Sequence, residues 1–237
     1  VPKTEPKSKK SNVSKTERSQ PKIAPSSSHH KKTNTQVSRY DKHSVKASHF
    51  GINPRMFSRN AITVVEKLQR QGYEAYIVGG CLRDLLLGKH PKDFDVATNA
   101  RPDQIQAVFQ RQCRLVGRRF RLAHIMFGRD VIEVATFRAN HSDARSENQA
   151  KQSDEGMLLR DNVYGTIEQD AERRDFTVNA MAYGLNDNFI DYFQGQEDLD
   201  KKIIRCVGDA DKRFNEDALR ILRALRFASV LDFTIDE

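Results

Sequence analysis

IVGGCLRDLLLGKHPKDFDVATNA, residues 77–100, decides the fold. It reads as the end of an apolar strand, a turn at Gly79-Gly80, a brief helix ending at Gly88, and a second strand over residues 93–98. On a strand, side chains at i and i+2 share a face, so Asp93 and Asp95 are expected to project together while Phe94 turns into the core. Two neighbouring carboxylates repel and pack poorly. A hard divalent cation resolves that repulsion, and Mg²⁺ favours one or two carboxylates with phosphate oxygens and water. Gly79 and Gly80 permit close backbone approach, and the helix N-terminus that follows offers N–H groups to an anion. Arg83 can reach a phosphate, and Asp84 can hold Arg83 or the loop. An isolated Asp-x-Asp is usually a solvated strand end. A glycine turn shortly ahead of it points instead to a nucleoside triphosphate held between backbone amides and Mg²⁺.

Around this stretch the pattern is helix alternating with strand. In SRNAITVVEKLQRQG, Ser58 is the expected N-cap, Ala61, Val64, Val65 and Leu68 make one face, and Gly72 stops the helix. YEAYIV follows as a strand, and RPDQIQAVFQRQ as a helix with Pro102 in its first turn. RLVGRRFRLAHIMFG and DVIEVATFR read as two strands paired across the turn at residues 128–130. Residues 140–156 are polar and loop-like, and AERRDFTVNAMAYG reads as helical. FIDYF and KIIRCVG read as short strands, and NEDALRILRALRFASV as a helix that buries Ala218, Ile221, Leu222 and Leu225. No internal repeat stands out. The sum is a mixed α/β (α+β) domain with the start of a helical region after it.

Charge separates a tail from this domain. Residues 1–50 hold 12 Lys+Arg against 3 Asp+Glu, so the net charge of +8 belongs to them. That segment is rich in Lys, Ser, Thr and Pro, has little to bury, and is expected to be a disordered basic arm over residues 1–52, with order beginning near residue 55. Such an arm is either a polyanion-attracting tether or a solvated tail. Cys81, Cys113 and Cys206 are odd in number and lack metal-type spacing, which fits reduced thiols in a cytoplasmic protein. No apolar run approaches the roughly 20 residues that span a bilayer, so a soluble protein without a membrane partner is expected. The chain starts without Met and ends soon after a helical segment, so a fragment is expected.

Residues 79–100 resemble the nucleotidyltransferase signature of the polymerase-beta superfamily, and most of all the class that unites bacterial poly(A) polymerases with CCA-adding enzymes. The resemblance runs from about residue 55 to the end. It implies a nucleotidyltransferase head over residues 53–200 and the start of a helical neck over residues 201–237. It also implies two Mg²⁺ ions, replaceable by Mn²⁺, on Asp93 and Asp95, with ATP as substrate and RNA 3′ ends as partner. RRDFTVNAMAYG looks like the family's second motif, which places Arg173, Arg174 and Asn179 at the nucleotide beside Gly79, Gly80, Arg83 and Asp84. Within it Asp175 is the favoured third catalytic acid, although it could equally cap a helix. Glu133, one acid in an otherwise apolar strand, competes for that place, its bland alternative being a pair with Arg138 or Arg119. In EDALRILRALRF, Glu216, Asp217 and Arg220 match the nucleobase-reading motif, and Arg223 shares a helical face with Glu216 and Arg220.

The branch is read from LVGRRFRLAHIMF, residues 115–127, which resembles the segment marking the poly(A) polymerases. GMLLRDNVYGTIEQDAERRDF also looks like that branch. Arg118, Arg119 and Arg121 would add positive charge, and His124 is expected to be packed or hydrogen-bonded and not a base. The implied activity is template-independent addition of AMP to RNA, in messenger processing and decay, with RNA-decay proteins as further partners. Two alternatives stay open: a CCA-adding enzyme, and a catalytically silent RNA-binding protein on the same fold.

Overall fold

Strand β1 (Ser44–Lys46) pairs antiparallel with β10 (Asn188–Ile190), and a 3₁₀ turn over Ala47–Phe50 follows it. Paired strand therefore lies ahead of residue 55 and of the expected boundary at residue 52. The polar 44–46 segment is held by sheet-edge hydrogen bonds, and the backbone N–H and hydroxyl of Ser48 both donate to the Asp187 carboxylate. Ala47 and Ile52 then bury their small apolar surfaces. The computed structural model describes residues 43–117, 121–139, 150–152, 158–161 and 163–237. The basic arm before residue 43, Arg118, Arg119 and most of the 140–156 loop lie outside them.

Helix α1 (Arg59–Arg70) forms as its sequence dictates: the Ser58 hydroxyl accepts from the Ala61 N–H, and Ala61, Val64, Val65 and Leu68 are buried. Strand β2 (Ala75–Val78) leads through Gly79 into helix α2 (Gly80–Leu86), then strand β3 (Asp95–Thr98) and helix α3 (Pro102–Phe109). The single strand expected over residues 114–127 is two strands, β4 (Cys113–Val116) and β5 (Leu122–Phe127), with Gly117 at φ 91° between them. β5 pairs with β6 (Asp130–Thr136) across the Gly128 turn. Within the loop-like region, β7 (Ala150–Gln152) pairs with β8 (Leu158–Asp161).

The expected helix over residues 171–184 is not one. Helix α4 (Ile167–Glu172), capped at its start by Thr166, covers only its first two residues. Then come a 3₁₀ turn at Thr177–Asn179 and β9 (Ala182–Gly184), which β2 and β10 hold from both sides. FIDYF is strand only as far as Ile190. Asp191 then accepts from the N–H groups of Phe193, Gly195 and Gln196, turning the chain into helix α5 (Gly195–Lys201). β11 (Ile203–Ile204) and β12 (Thr234–Ile235) form a small parallel pair around helices α6 (Ala210–Glu216) and α7 (Leu219–Leu231).

Among the described residues the main sheet has eight strands in the order β1-β10-β9-β2-β3-β6-β5-β4. One face carries Ile77, Val96, Ile125 and Val134 under α1 and α3 and holds the main core. The other carries Val78, Ala97, Phe137 and Ala182 in a smaller cluster, and Asp95 lies on this second face. Residues on both sides of position 200 pack into one unit.

The last helix departs furthest from expectation. It breaks at Asp217, which is extended (φ −154°) and accepts from the Leu219 N–H. The expected buried stripe is outside, with Ile221, Leu222 and Leu225 47%, 63% and 56% exposed and Ala218 exposed too. Ala224 and Phe227 are the buried pair, Phe227 edge-on to Phe176. The charged side is the packed side, because Arg220 and Arg223 bond to the head across it.

Candidate active site

Gly79 has φ 86° and ψ −148°, a conformation open essentially to glycine. A Cβ there would stand 3.2 Å from Arg174 Nη1. The Arg174 guanidinium thus lies against the turn, donating to the Asn179 carbonyl at 3.2 Å and facing Asp170 at 3.6 Å. Arg83 lies close to Gly80. Its Nε and Nη2 donate to Asp84 Oδ1 at 2.9 and 2.7 Å, and its Nη1 donates to Asn179 Oδ1 at 2.8 Å. Asp84 thus holds Arg83, as its place beside Arg83 suggested.

Asp93 precedes β3, and Asp95 opens it. Phe94 packs toward the main core, edge-on to Phe57. The parallel register Val96↔Val134 sets Asp95 beside Glu133 of β6, on the face opposite the main core. Burial raises the Asp95 carboxyl above its ordinary value, the charges of Glu133 and Asp93 add to the rise, and Arg174 opposes it. Glu133 faces His124, with Nε2 3.3 Å from Oε2.

Asp175 lies elsewhere in this arrangement. It is buried, and its Oδ1 accepts from the Phe176 N–H at 2.8 Å and Asn179 Nδ2 at 3.3 Å. Its Oδ2 accepts from Arg223 Nε at 2.6 Å. The carboxylate favoured from sequence as the third acid is therefore committed to an ion pair, while the second choice, Glu133, is the one beside Asp95. Asn179, expected at the nucleotide, is buried with its amide used at both ends, behind Arg83.

Beyond Asp175 the chain of contacts reaches α7. Phe227 has the guanidinium carbons of Arg83, Arg223 and Arg226 at 5.0, 5.2 and 5.6 Å from its ring centre. Glu216 accepts from Arg213 at 2.9 Å and Arg220 at 3.1 Å. Arg220 also donates to the carbonyls of Arg213 and Arg173 at 3.1 and 3.2 Å. Arg213, buried and holding the Val207 carbonyl, is a member of this set that sequence reading missed. A basic residue just ahead of the Glu-Asp pair was the available signal.

Among the described residues no three His, Cys, Asp or Glu side chains converge as a ready-made metal cage. The donor set fits a cation that completes its shell with phosphate and water, which is the habit of Mg²⁺. The crowding of Asp93, Asp95 and Glu133 is negative charge that such a cation would relieve.

Solved structures share this fold, an α+β nucleotidyltransferase head. The Bacillus stearothermophilus CCA-adding enzyme in complex with CTP matches at TM-score 0.62 and 36% identity, over 78% of this chain and 42% of that one. A CCA-adding enzyme in apo form II matches at TM-score 0.65 and 30% identity, over 83% and 46%. Residues 75–205 match the poly A polymerase head domain, and the chain belongs to that family. Poly(A) polymerase I of Haemophilus influenzae is 70% identical over 207 residues, covering 87% of this chain and 46% of that protein. Poly(A) polymerase I of Salmonella typhimurium is 54% identical over 186 residues, covering 78% and 40%. The CCA-adding enzyme of Staphylococcus haemolyticus is 43% identical over 173 residues, covering 73% and 41%. The chain thus spans less than half the length of these relatives.

Proposed function

We propose that the protein adds AMP from ATP to RNA 3′ ends without a template, releasing pyrophosphate. The observation that carries this reading is the 70% identity, over 207 residues, to a poly(A) polymerase I. The identity to a CCA-adding enzyme is lower, at 43% over 173 residues. In the reaction, the RNA 3′-hydroxyl oxygen bonds to the α-phosphorus as the bond to the β-phosphate's bridging oxygen breaks. Two Mg²⁺ ions, or Mn²⁺ in their place, would sharpen the hydroxyl and steady the pyrophosphate. Asp93 and Asp95 are the residues we infer to hold them, with Glu133 in place of Asp175 as the third carboxylate.

The remaining roles belong to the chain itself. Gly79 and Gly80 bring backbone close to the triphosphate, and Arg174 and Arg83 supply positive charge on either side of the turn. Arg173 flanks them from the end of α4. Asp175 and Asn179 orient Arg223 and Arg83. Asp217 and Arg220 present an acceptor and donors to a base edge, with Glu216 fixing the guanidinium. We infer a cytoplasmic enzyme that meets RNA-decay proteins; among the described residues no helix is long and apolar enough to cross a membrane.

The test is extension of a short unstructured RNA by the whole protein with Mg²⁺ and one nucleotide at a time. A long ladder with ATP alone is expected. Growth that needs CTP and stops after a few residues on transfer RNA would transfer the assignment to the CCA-adding branch. ATP binding without any extension would leave an RNA-binding protein on this fold.

A further inference from the structure

Four residues lie in one row across four adjacent strands. The register places Asp95 of β3 beside Glu133 of β6, Glu133 opposite His124 of β5, and His124 opposite Arg114 of β4 at the sheet edge. All face away from the main core, since their strand neighbours Val96, Val134, Ala123, Ile125 and Cys113 point into it. Neighbouring strands are about 4.8 Å apart, so charge along the row runs from carboxylate to carboxylate to imidazole to guanidinium within about three such steps.

The Glu133 side chain is 45% exposed. A glutamate carries more rotamer freedom than an aspartate. A glutamate so placed loses rotamer freedom when it holds a ligand, and a fixed hydrogen-bond partner removes part of that cost beforehand. His124 is placed to be such a partner. Its Nε2 stands 3.3 Å from Glu133 Oε2, on the β5 side of β6. An Nε2–H turned onto that oxygen would donate to it and leave Oε1 for a cation.

We propose that His124 is a positioning residue that holds one Glu133 oxygen from the β5 side and so leaves the other, on the β3 side, for the divalent cation. The inference rests on the reading of Glu133 given above and deepens it. It also gives a physical role to one described residue of the 115–127 stretch.

The test is Mn²⁺ binding to the whole protein with a non-reacting ATP analogue, read from the resonance of free Mn²⁺. His124→Phe keeps a strand-favouring ring and removes the donor, and His124→Val, smaller and also strand-favouring, removes it too if Phe is not accommodated. Either is expected to weaken Mn²⁺ by about tenfold, the size found when a partner orienting a metal-bound carboxylate is lost. His124→Gln, which retains an N–H donor, is expected to restore most of that affinity. Wild-type Mn²⁺ affinity in both apolar variants, with Glu133→Gln weakened, overturns the positioning role alone. So does an equal loss in the Gln and the apolar variants. Unchanged affinity in Glu133→Gln, with loss in Asp95→Asn, overturns the reading of Glu133 and this proposal with it.

Discussion

Arg223 Nε donates to Asp175 Oδ2 at 2.6 Å, joining the last helix to the charge cluster at residues 173–175. Through Asn179 the same carboxylate is linked to Arg83 and so to the Gly79-Gly80 turn. Phe227 lies under both guanidinium groups. The helix carrying Asp217 and Arg220 is thereby tied to the helix after the glycine turn.

This clasp predicts a division of labour between carboxylates. Asp175→Ala leaves the Phe176 N–H and the Asn179 amide without their acceptor, at about 1–3 kcal/mol of stability. Arg223→Ala costs less, about 1 kcal/mol or below, because half of that side chain is in water. Both variants are expected to raise the ATP KM and to blunt discrimination between ATP and CTP, while Mn²⁺ affinity stays at the wild-type value. Nucleotide-selectivity assays paired with Mn²⁺ titration check this. Loss of Mn²⁺ binding in Asp175→Asn would return Asp175 to the metal.

Gly79→Ala is expected to inactivate. At φ 86° an alanine is strained by about 1–3 kcal/mol, and its Cβ would press on Arg174 Nη1 at 3.2 Å. A shift of Arg174 removes the cation that moderates Asp95. The outcome to look for is a large fall in kcat/KM for ATP with a modest fall in melting temperature. Near-normal turnover would mean the turn tolerates a side chain and that Arg174 is not held by it.

How much of this was legible in the sequence varied with the range of the interaction. Helix α1 was readable because its cap and apolar face are local. So was the Asp84–Arg83 contact, between chain neighbours. The segment at residues 171–184 misled because its apolar residues suit a buried helix and a buried strand alike, and pairing to β2 and β10 decided between them. The inverted face of α7 could not be read from periodicity. Only the distant partners Asp175 and Arg173 make the arginine side the inner one. That Glu133 lies beside Asp95 while Asp175 does not likewise needed the register of β3 on β6.

Cys81 should be chemically silent. It sits in α2 next to the glycine turn, donates to the Val78 carbonyl at 3.4 Å, and burial, reinforced by Asp95, pushes its thiol up to about 12. The thiolate that would react is therefore scarce at neutral pH. A disulfide reagent at pH 8 is expected to leave Cys81 unmodified in the folded protein and to label it in denaturant. Rapid native labelling of Cys81 would show that α2 opens on that timescale.

Asp95 makes a prediction in stability as well as activity. Its carboxyl is raised above its ordinary value in the folded state, by burial first and then by Glu133 and Asp93, with Arg174 opposing. A raised acid binds its proton more tightly folded than unfolded, so ionising it opposes folding. Below the unfolded value both states are protonated and nothing is lost. The penalty grows as pH rises through the interval between the unfolded and folded values, and it is complete above the folded one. Asp95→Asn removes the penalty together with the metal site. It is expected to be inactive yet to melt above wild type at neutral pH in chelator, with the two curves converging in acid. Mg²⁺ or Mn²⁺ is expected to raise the wild-type melting temperature and leave Asp95→Asn unmoved. A variant that melts below wild type at neutral pH would mean the attraction of Arg174 outweighs the crowding of the three carboxylates. The melting curves with and without metal, measured across pH, decide it.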